Sequence, residues 1–288
     1  MISIRRFVYE QHWTIGFIEE PIQNIISNKP YVVHYVKGMP KDRWFADPFI
    51  LDYNDSYIYV LVEEFCYSVR RGRIAKLEIA RNDYRLVDYK ILLDKTTHLS
   101  FPFIFRENGQ IYVCPENSAS GMWTRYRYDK EKDVLLREDV LIDAPLTDAI
   151  ISNLFGERLV ISTIIPNQNG NILSVYSNAG YFIKDLKFES NIARNAGDII
   201  SIGDKVYRPA QDCNGSYGKA VILQEVLKSD NGSFTFKNVG RIESNNDKFT
   251  TGCHTFNTYN GLSVIDVHGW RKPHLVNFVN AMRKLAHL

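Results

Sequence analysis

The chain has 288 residues, 45% of them hydrophobic and 13% aromatic, long enough for a sizeable core and rich in residues that suit a pleated sheet. Its 35 Lys and Arg stand against 33 Asp and Glu, and a formal net charge of +2 argues against a dedicated nucleic-acid or polybasic membrane partner. The dense basic run Arg70-Arg71-Gly72-Arg73 is too short to change this and reads as a solvated loop.

The opening residues Met1–Arg6 are followed by a charged and aromatic mixture rather than an apolar h-region, and no apolar run approaches the ~18 residues of a spanning helix. Cys66, Cys114, Cys213 and Cys253 form no C-x-x-C pair and no zinc spacing. These features predict a cytoplasmic, reduced protein with no integral membrane segment, no metal and no cofactor. P-loop, dinucleotide-binding and nucleophile-elbow motifs are missing as well.

Five units recur in chain order, each a short apolar run, a turn and a second strand. The first runs Asp47–Leu51, turn Asn54-Asp55, then Tyr57–Val62. The second is Phe101–Phe105, turn Asn108-Gly109, then Ile111–Val113; the third is Asp148–Ile151, turn Phe155-Gly156, then Leu159–Ser162. The fourth is Asp198–Ser201, turn Gly203-Asp204, then Val206–Arg208; the fifth is His254–Phe256, turn Asn260-Gly261, then Leu262–Ile265. Asn-Gly and Gly-Asp supply the positive φ that tight hairpins need. Further strands are predicted at Arg73–Ile79, Trp123–Tyr128, Leu173–Tyr176 and Ala220–Val226. The interval of roughly 47–56 residues lies in the range of propeller blades. Five blades of four strands use the chain almost fully, so the reading is all-β: one five-bladed β-propeller over 1–288. The tail 273–288 has Leu275, Phe278, Val279, Met282 and Leu285 at helical spacing and reads as a short packing helix, or a partner-binding one.

In a propeller the first strand of each blade lines the central channel, so residues at its start sit at the channel mouth. Asp47, Asp148, Asp198 and His254 hold that place, with Ser100 beside it in the second unit. Second strands return to the same rim, bringing Glu63 or Glu64, Glu116, Arg208, Gln211, Asp212, Asp266 and His268. Convergent carboxylates suit glycosyl transfer, which needs a base or nucleophile and a proton donor, and they also suit a metal ion. Trp44, Phe45 and Tyr217 offer rings on which a sugar could stack. Each residue also has a structural reading: one of Glu63 and Glu64 as solvated, Glu116 as a turn cap, Arg208 as the partner of a carboxylate, the histidines as packing residues.

Several of these stretches resemble a known group. Trp44-Phe45-Ala46-Asp47-Pro48-Phe49 is similar to the A-D-P-F opening of the glycoside hydrolase family 43 propellers and their levansucrase and invertase relatives. His98–Phe105, Gly109–Tyr112 with Pro115-Glu116, Tyr207–Cys213 with Tyr217-Gly218, His254–Asn257 and Trp13–Gly16 are similar to a narrower group. That group is the N-terminal propeller domain of plant glucosamine inositolphosphorylceramide transferases and related bacterial polysaccharide-locus proteins. The resemblance implies Asp47 as base or nucleophile, Asp148 as the orienting carboxylate and Glu116 as a candidate acid. Placement on or near the channel rim makes Glu64, Ser100, Asp198, Arg208, Gln211, Asp212, Tyr217, His254 and Asp266 candidate substrate-binding residues, with Asp198 an alternative to Glu116 as the acid. Where the hydrolase pattern carries its acid glutamate, this chain reads Arg194-Asn195-Ala196-Gly197-Asp198, and where the fructosidase pattern carries R-D-P it reads Ser100-Phe101-Pro102. The implied activity is transfer of a sugar, a furanose included, from a donor to an oligosaccharide or glycan acceptor during surface-polysaccharide (capsule) assembly. Glycoside hydrolysis in the same channel and a non-catalytic sugar-binding module are the alternatives.

Overall fold

The computed structural model describes residues 8–229 and 233–286. The chain enters through β1 (Gln11–Ile18), a short helix α1 (Ile22–Ile26) and β2 (His34–Tyr35). Four sheets then follow in sequence, each antiparallel and four-stranded. Blade one is β3 (Arg43–Tyr53), β4 (Tyr57–Cys66), β5 (Gly72–Ala80) and β6 (Arg85–Leu93). Blade two is β7 (Ser100–Glu107), β8 (Gln110–Glu116), β9 (Trp123–Asp129) and β10 (Val134–Ile142). Blade three is β11 (Leu146–Leu154), β12 (Glu157–Ile164), β13 (Ile172–Ser177) and β14 (Phe182–Lys187). Blade four is β15 (Ile200–Ile202), β16 (Lys205–Asp212), β17 (Ala220–Lys228) and β18 (Phe234–Ile242).

The fifth blade draws on both ends of the chain. The strands β19 (Phe256–Tyr259) and β20 (Leu262–Trp270) pair with each other, and β1 then runs along β20 from Gln11 opposite Trp270 to Ile18 opposite Ser263. β2 completes the order β19-β20-β1-β2. A ring closed this way leaves no strand edge between first and last blade. The helix α2 (Pro273–Ala286) follows, and residues 287 and 288 of the expected helix lie outside the described residues.

Core and blades are the same thing here. Inner strands are covered on both faces by neighbouring blades, so apolar side chains run on without alternating: Val60, Leu61 and Val62 are all fully buried. Phe49 of blade one meets Phe101 of blade two edge to face at 4.9 Å. Outermost strands face water on one side, as in β6 and β14, where exposed positions recur. Hairpin turns take the conformation their residues favour: Asn108-Gly109 and Asn260-Gly261 all have positive φ.

Candidate functional site

The first strands of blades one, two and three carry the same irregularity near their start. Register advances from Ala46–Glu63 to Phe49–Leu61, from Ser100–Glu116 to Phe103–Cys114, and from Thr147–Thr163 to Ile150–Ile161. Each inserts one extra residue, a β-bulge, which bends the strand and re-aims a side chain. At each bulge one residue has left-handed backbone: Asp47 (φ 50°), Phe101 (φ 40°) and Asp148 (φ 47°). The amide freed there is taken by the preceding blade. Asp266 accepts from Asp47 N–H, Asp47 from Phe101 N–H and Glu116 from Asp148 N–H, each at 3.0 Å. The rim carboxylates therefore join blades together while converging on the channel.

On one side lies a relay. Asp266 Oδ1 accepts the amides of His254 and Thr255, and its Oδ2 pairs with His254 Nδ1 at 2.7 Å. His254 Nε2 then faces Asp47 Oδ1 at 3.6 Å, and Thr255 Oγ1 donates to that same oxygen at 2.9 Å. Burial lowers the affinity of His254 for a proton, but Asp266 and Asp47 overcome this and hold its pKa at about 9. Burial pushes Asp47 up to about 7, against the pull of His254. His254 stacks on Trp13 at 4.0 Å. Asp47, His254 and Asp266 are also the group among the described residues that could offer ligands to a metal ion. Amides and His254 Nδ1 already occupy both Asp266 oxygens, so the donor set suits a hydrogen-bonded relay better than a coordination shell.

On the other side Arg194 holds two carboxylates. Its Nε donates to Asp148 Oδ2 at 2.6 Å, its Nη2 to Glu116 Oε2 at 3.2 Å, and its Nη1 to Asn169 Oδ1 at 2.9 Å. Gln211 Nε2 adds a bond to Asp148 Oδ2 at 2.6 Å, while its Oε1 meets no donor among the described residues. Burial pushes Glu116 up to about 8; Arg194 opposes this and Asp148 adds to it. Glu116 thus keeps a proton at neutral pH in a site where Asp47 is poised to lose one. Arg194 was legible only as the first residue of a stretch, Arg194–Asp198, that lacks the glutamate of the hydrolase pattern; nothing in the sequence assigned it a role.

A cavity of about 400 Å³ opens beside His254 and Tyr217, lined also by Trp13, Trp44, Glu63 and His98, while Asp47, Glu116, Asp148 and Arg194 are not in its lining. Trp44 stacks on Phe65 at 4.8 Å. The ring of Tyr217 is partly exposed and sits over the Arg194 guanidinium at 5.2 Å. Burial of its hydroxyl first, then the charges of Asp148, Asp47 and Glu116, push the phenol well up, against the pull of Arg194. His98 Nε2 lies 3.2 Å from Glu63 Oε1; burial pulls this histidine down, but Glu63 outweighs it and raises the pKa to about 9.

Several expected rim residues sit elsewhere. Glu63, not Glu64, faces the cavity: Glu64 is fully buried between Arg43 and Arg73. Arg208 falls in the middle of β16 and points into the wall between blades, where it bonds Asn195 Oδ1, Gln224 Oε1 and the Ala193 carbonyl, between Phe188 and Phe236. Asp198 is displaced along the channel. Blade four pairs Asn195 with Ala210 and Ile200 with Tyr207, so its irregularity is longer and Arg194-Asn195 takes the rim. Asp198 instead faces Arg106, which holds the Ile50 and Leu51 carbonyls farther down β3. Between them Gly197 lies so close to the Phe256 carbonyl that a Cβ would stand 2.1 Å from it. Asp212 pairs with Arg241 at 2.8 Å and caps the Asn214 amide. Ser100 is buried opposite Glu116, and Phe45 belongs to the core beside Tyr89.

These titrations predict a pH dependence of stability. Asp47, Glu116 and Asp198 have pKa values raised to about 7, 8 and 7, so the native state keeps protons that the unfolded chain releases above pH ~4. Stability from these groups falls as pH rises to about 8. His254 and His98, raised to about 9, contribute fully below pH ~6.5 and lose that contribution as pH rises through 9. His268, lowered to about 4, acts with the opposite sign, but only between pH ~4 and ~6.5. The melting temperature is therefore expected to fall by on the order of 5 °C between pH 6.5 and 9. Scanning calorimetry across that range checks it, and a flat or rising profile contradicts the charge assignment.

Known proteins match this chain at two levels. Two solved propellers share the fold: a glycoside hydrolase family 43 β-xylosidase/α-arabinofuranosidase from a compost metagenome, and a β-1,3-galactosidase of the same family. The first gives a TM-score of 0.51 at 11% identity over 77% of this chain and 84% of that one. The second gives 0.50 at 10% identity over 76% and 85%. In sequence, glucosamine inositolphosphorylceramide transferase 1 from Oryza sativa is 29% identical over 206 residues, and the Arabidopsis thaliana protein is 27% identical over 201. Each match takes in 66% of this chain, which spans only 27% and 26% of those relatives' lengths. A family model for the N-terminal region of glucosamine inositolphosphorylceramide transferase 1 matches residues 31–268, from just before β2 through nearly all of β20. By that match the chain belongs to the family of glucosamine inositolphosphorylceramide transferase 1 N-terminal domains.

Proposed function

We propose that the channel mouth transfers a glycosyl group from a donor with an anionic leaving group to a hydroxyl of a glycan acceptor, in surface-polysaccharide assembly in the cytoplasm. The observation that carries this reading is Arg194, held against Asp148 and Glu116 and lying in the stretch where the hydrolase pattern has its acid. A cation fixed in a buried site favours a leaving group that departs as an anion, such as a sugar-linked phosphate or diphosphate. The names of the plant relatives, which are transferases, support the same class. Four free cysteines suit a reducing compartment.

In this reading Asp47 takes the acceptor hydroxyl proton as the acceptor oxygen bonds to the anomeric carbon. The bond from that carbon to the phosphate oxygen breaks, and its electron pair leaves with the phosphate. Glu116, protonated near neutrality, hydrogen-bonds the departing oxygen, while Asp148 and Gln211 hold the Arg194 side of the site. His254 and Asp266 keep Asp47 in place. Trp44 and Tyr217 border the space for the sugar ring.

The test is an assay with nucleotide-activated and polyprenyl-phosphate sugars, with and without an oligosaccharide acceptor. Donor consumption that depends on acceptor and yields a new glycoside is the expected result. Release of free sugar at the same rate without acceptor, or cleavage of aryl glycosides, would make the protein a hydrolase. Saturable sugar binding with no turnover of any donor would make it a binding module.

A further inference from the structure

The cavity lies to one side of the acidic cluster. His254 belongs to its lining, and His254 Nε2 faces Asp47, which takes the acceptor's proton in the reading above. Arg194, Glu116 and Asp148, which that reading places at the leaving group, are not in the lining. The Tyr217 ring borders the cavity and lies over the Arg194 guanidinium at 5.2 Å. The space therefore opens on the acceptor side of the reacting bond.

Its walls suit a ring that is apolar on its faces and rich in donors at its edge. Trp44 and Phe65, both in the lining, stack at 4.8 Å with their rings 5° from parallel. Glu63 is 5% exposed, yet its Oε1 accepts no hydrogen bond among the described residues; His98 Nε2 stands 3.2 Å from it as a counter-charge. A Cβ at Gly72 would stand 2.6 Å from that oxygen, so the glycine keeps its place clear. A buried acceptor left open costs about 1–3 kcal/mol, and a ligand hydroxyl would satisfy it. The charges of the lining are already matched. Glu10 pairs with Arg271 at 2.6 Å and Arg70 at 3.8 Å, Glu63 with His98, and His254 with Asp266 at 2.7 Å. A charged ligand would bring an unmatched charge among them, whereas an uncharged polyol would not.

We infer that the cavity binds an uncharged hexose, its ring against the aromatic wall and a hydroxyl donating to Glu63, and that this sugar belongs to the acceptor. The acceptor assignment rests on the transfer reading; the binding of an uncharged sugar does not. Glu63 is then a specificity residue. It accepts from a sugar hydroxyl and repels a carboxylate brought to the same place, so a hexuronic acid is excluded.

Fluorescence titration tests it, because Trp13 and Trp44 report from the cavity wall. Methyl glucoside, galactoside and mannoside are each compared with the corresponding methyl hexuronide. At least one neutral hexoside is expected to change the emission saturably and to bind at least about tenfold more tightly than its uronide, a difference of ~1.4 kcal/mol. Glu63→Gln keeps the shape of the side chain and should largely abolish that preference. Glu63→Asp keeps the charge but shortens the reach, so it should weaken the neutral hexoside while still excluding the uronide. Near-ultraviolet circular dichroism verifies that each variant is folded. No saturable response to any of the three hexosides, equal or tighter binding of the uronides, or an unchanged preference in Glu63→Gln overturns the proposal. The expected preference in a protein that transfers no sugar would overturn the transfer reading, and with it the acceptor assignment, and leave the cavity a site for an uncharged sugar. Acceptor-dependent turnover without such binding would do the reverse.

Discussion

Replacing Arg194 by leucine should remove activity and lower the melting temperature by on the order of 10 °C. The guanidinium is buried and serves Asp148 and Glu116 together. Without it two acidic groups share a dry site with no cation between them, and breaking a buried pair from one side costs about 3–5 kcal/mol. Glu116, which already keeps a proton near neutrality with Arg194 beside it, would hold that proton more tightly still. Adding Asp148→Asn and Glu116→Gln to Arg194→Leu should restore much of the stability, because no uncompensated charge remains. It should not restore turnover. Arg194→Lys is expected to fall between, since lysine keeps the charge but cannot reproduce the three-way fork to Asp148, Glu116 and Asn169. A leucine variant with native stability would show that Arg194 is not the counter-ion of the site.

Asp47→Asn is expected to cut turnover by roughly 10²–10⁴-fold, the usual contribution of a positioned acid or base, with a small change in stability. Asparagine keeps an oxygen for the Phe101 amide and tolerates the left-handed backbone at this bulge (φ 50°). What it loses is the ability to accept the acceptor's proton. Asp47→Ala should also lose turnover, and in addition strand the Phe101 amide and the Thr255 hydroxyl, for about 1–3 kcal/mol each. Comparing the two separates chemistry from blade-to-blade joining, the competing role of this carboxylate. Removing Asp47 should also weaken His254's hold on its proton. Asp47→Asn with wild-type turnover on a productive donor would remove Asp47 from the mechanism.

Much of the architecture was readable because its determinants are local. Hairpins announce themselves through Asn-Gly and related turns, and the inner strands through apolar runs too dense for a surface. Third strands such as β9 and β17 were visible for the same reason. Outer strands carry a weaker signal, since β6 and β10 mix charged and apolar residues and are only partly buried. The last blade held a different difficulty: β1 and β2 belong to β20, some 250 residues away along the chain, and no local pattern links them.

The site divides along the same line. By itself the sequence determined that acidic residues recur at the starts of first strands, as Asp47 and Asp148 do, and at the ends of second strands, as Glu116 does, which points all three to one channel. Whether a neighbouring residue joins them was decided only by the tertiary structure. Side chains alternate along a strand, so one inserted residue exchanges the two faces. Alternation alone gives Glu63 to the cavity and Glu64 to two arginines, since β4 carries no insertion, while the longer irregularity of blade four brings Arg194 to the rim and carries Asp198 away. Arg208 stands three residues before Gln211 on β16, hence on the opposite face, and turns into the wall.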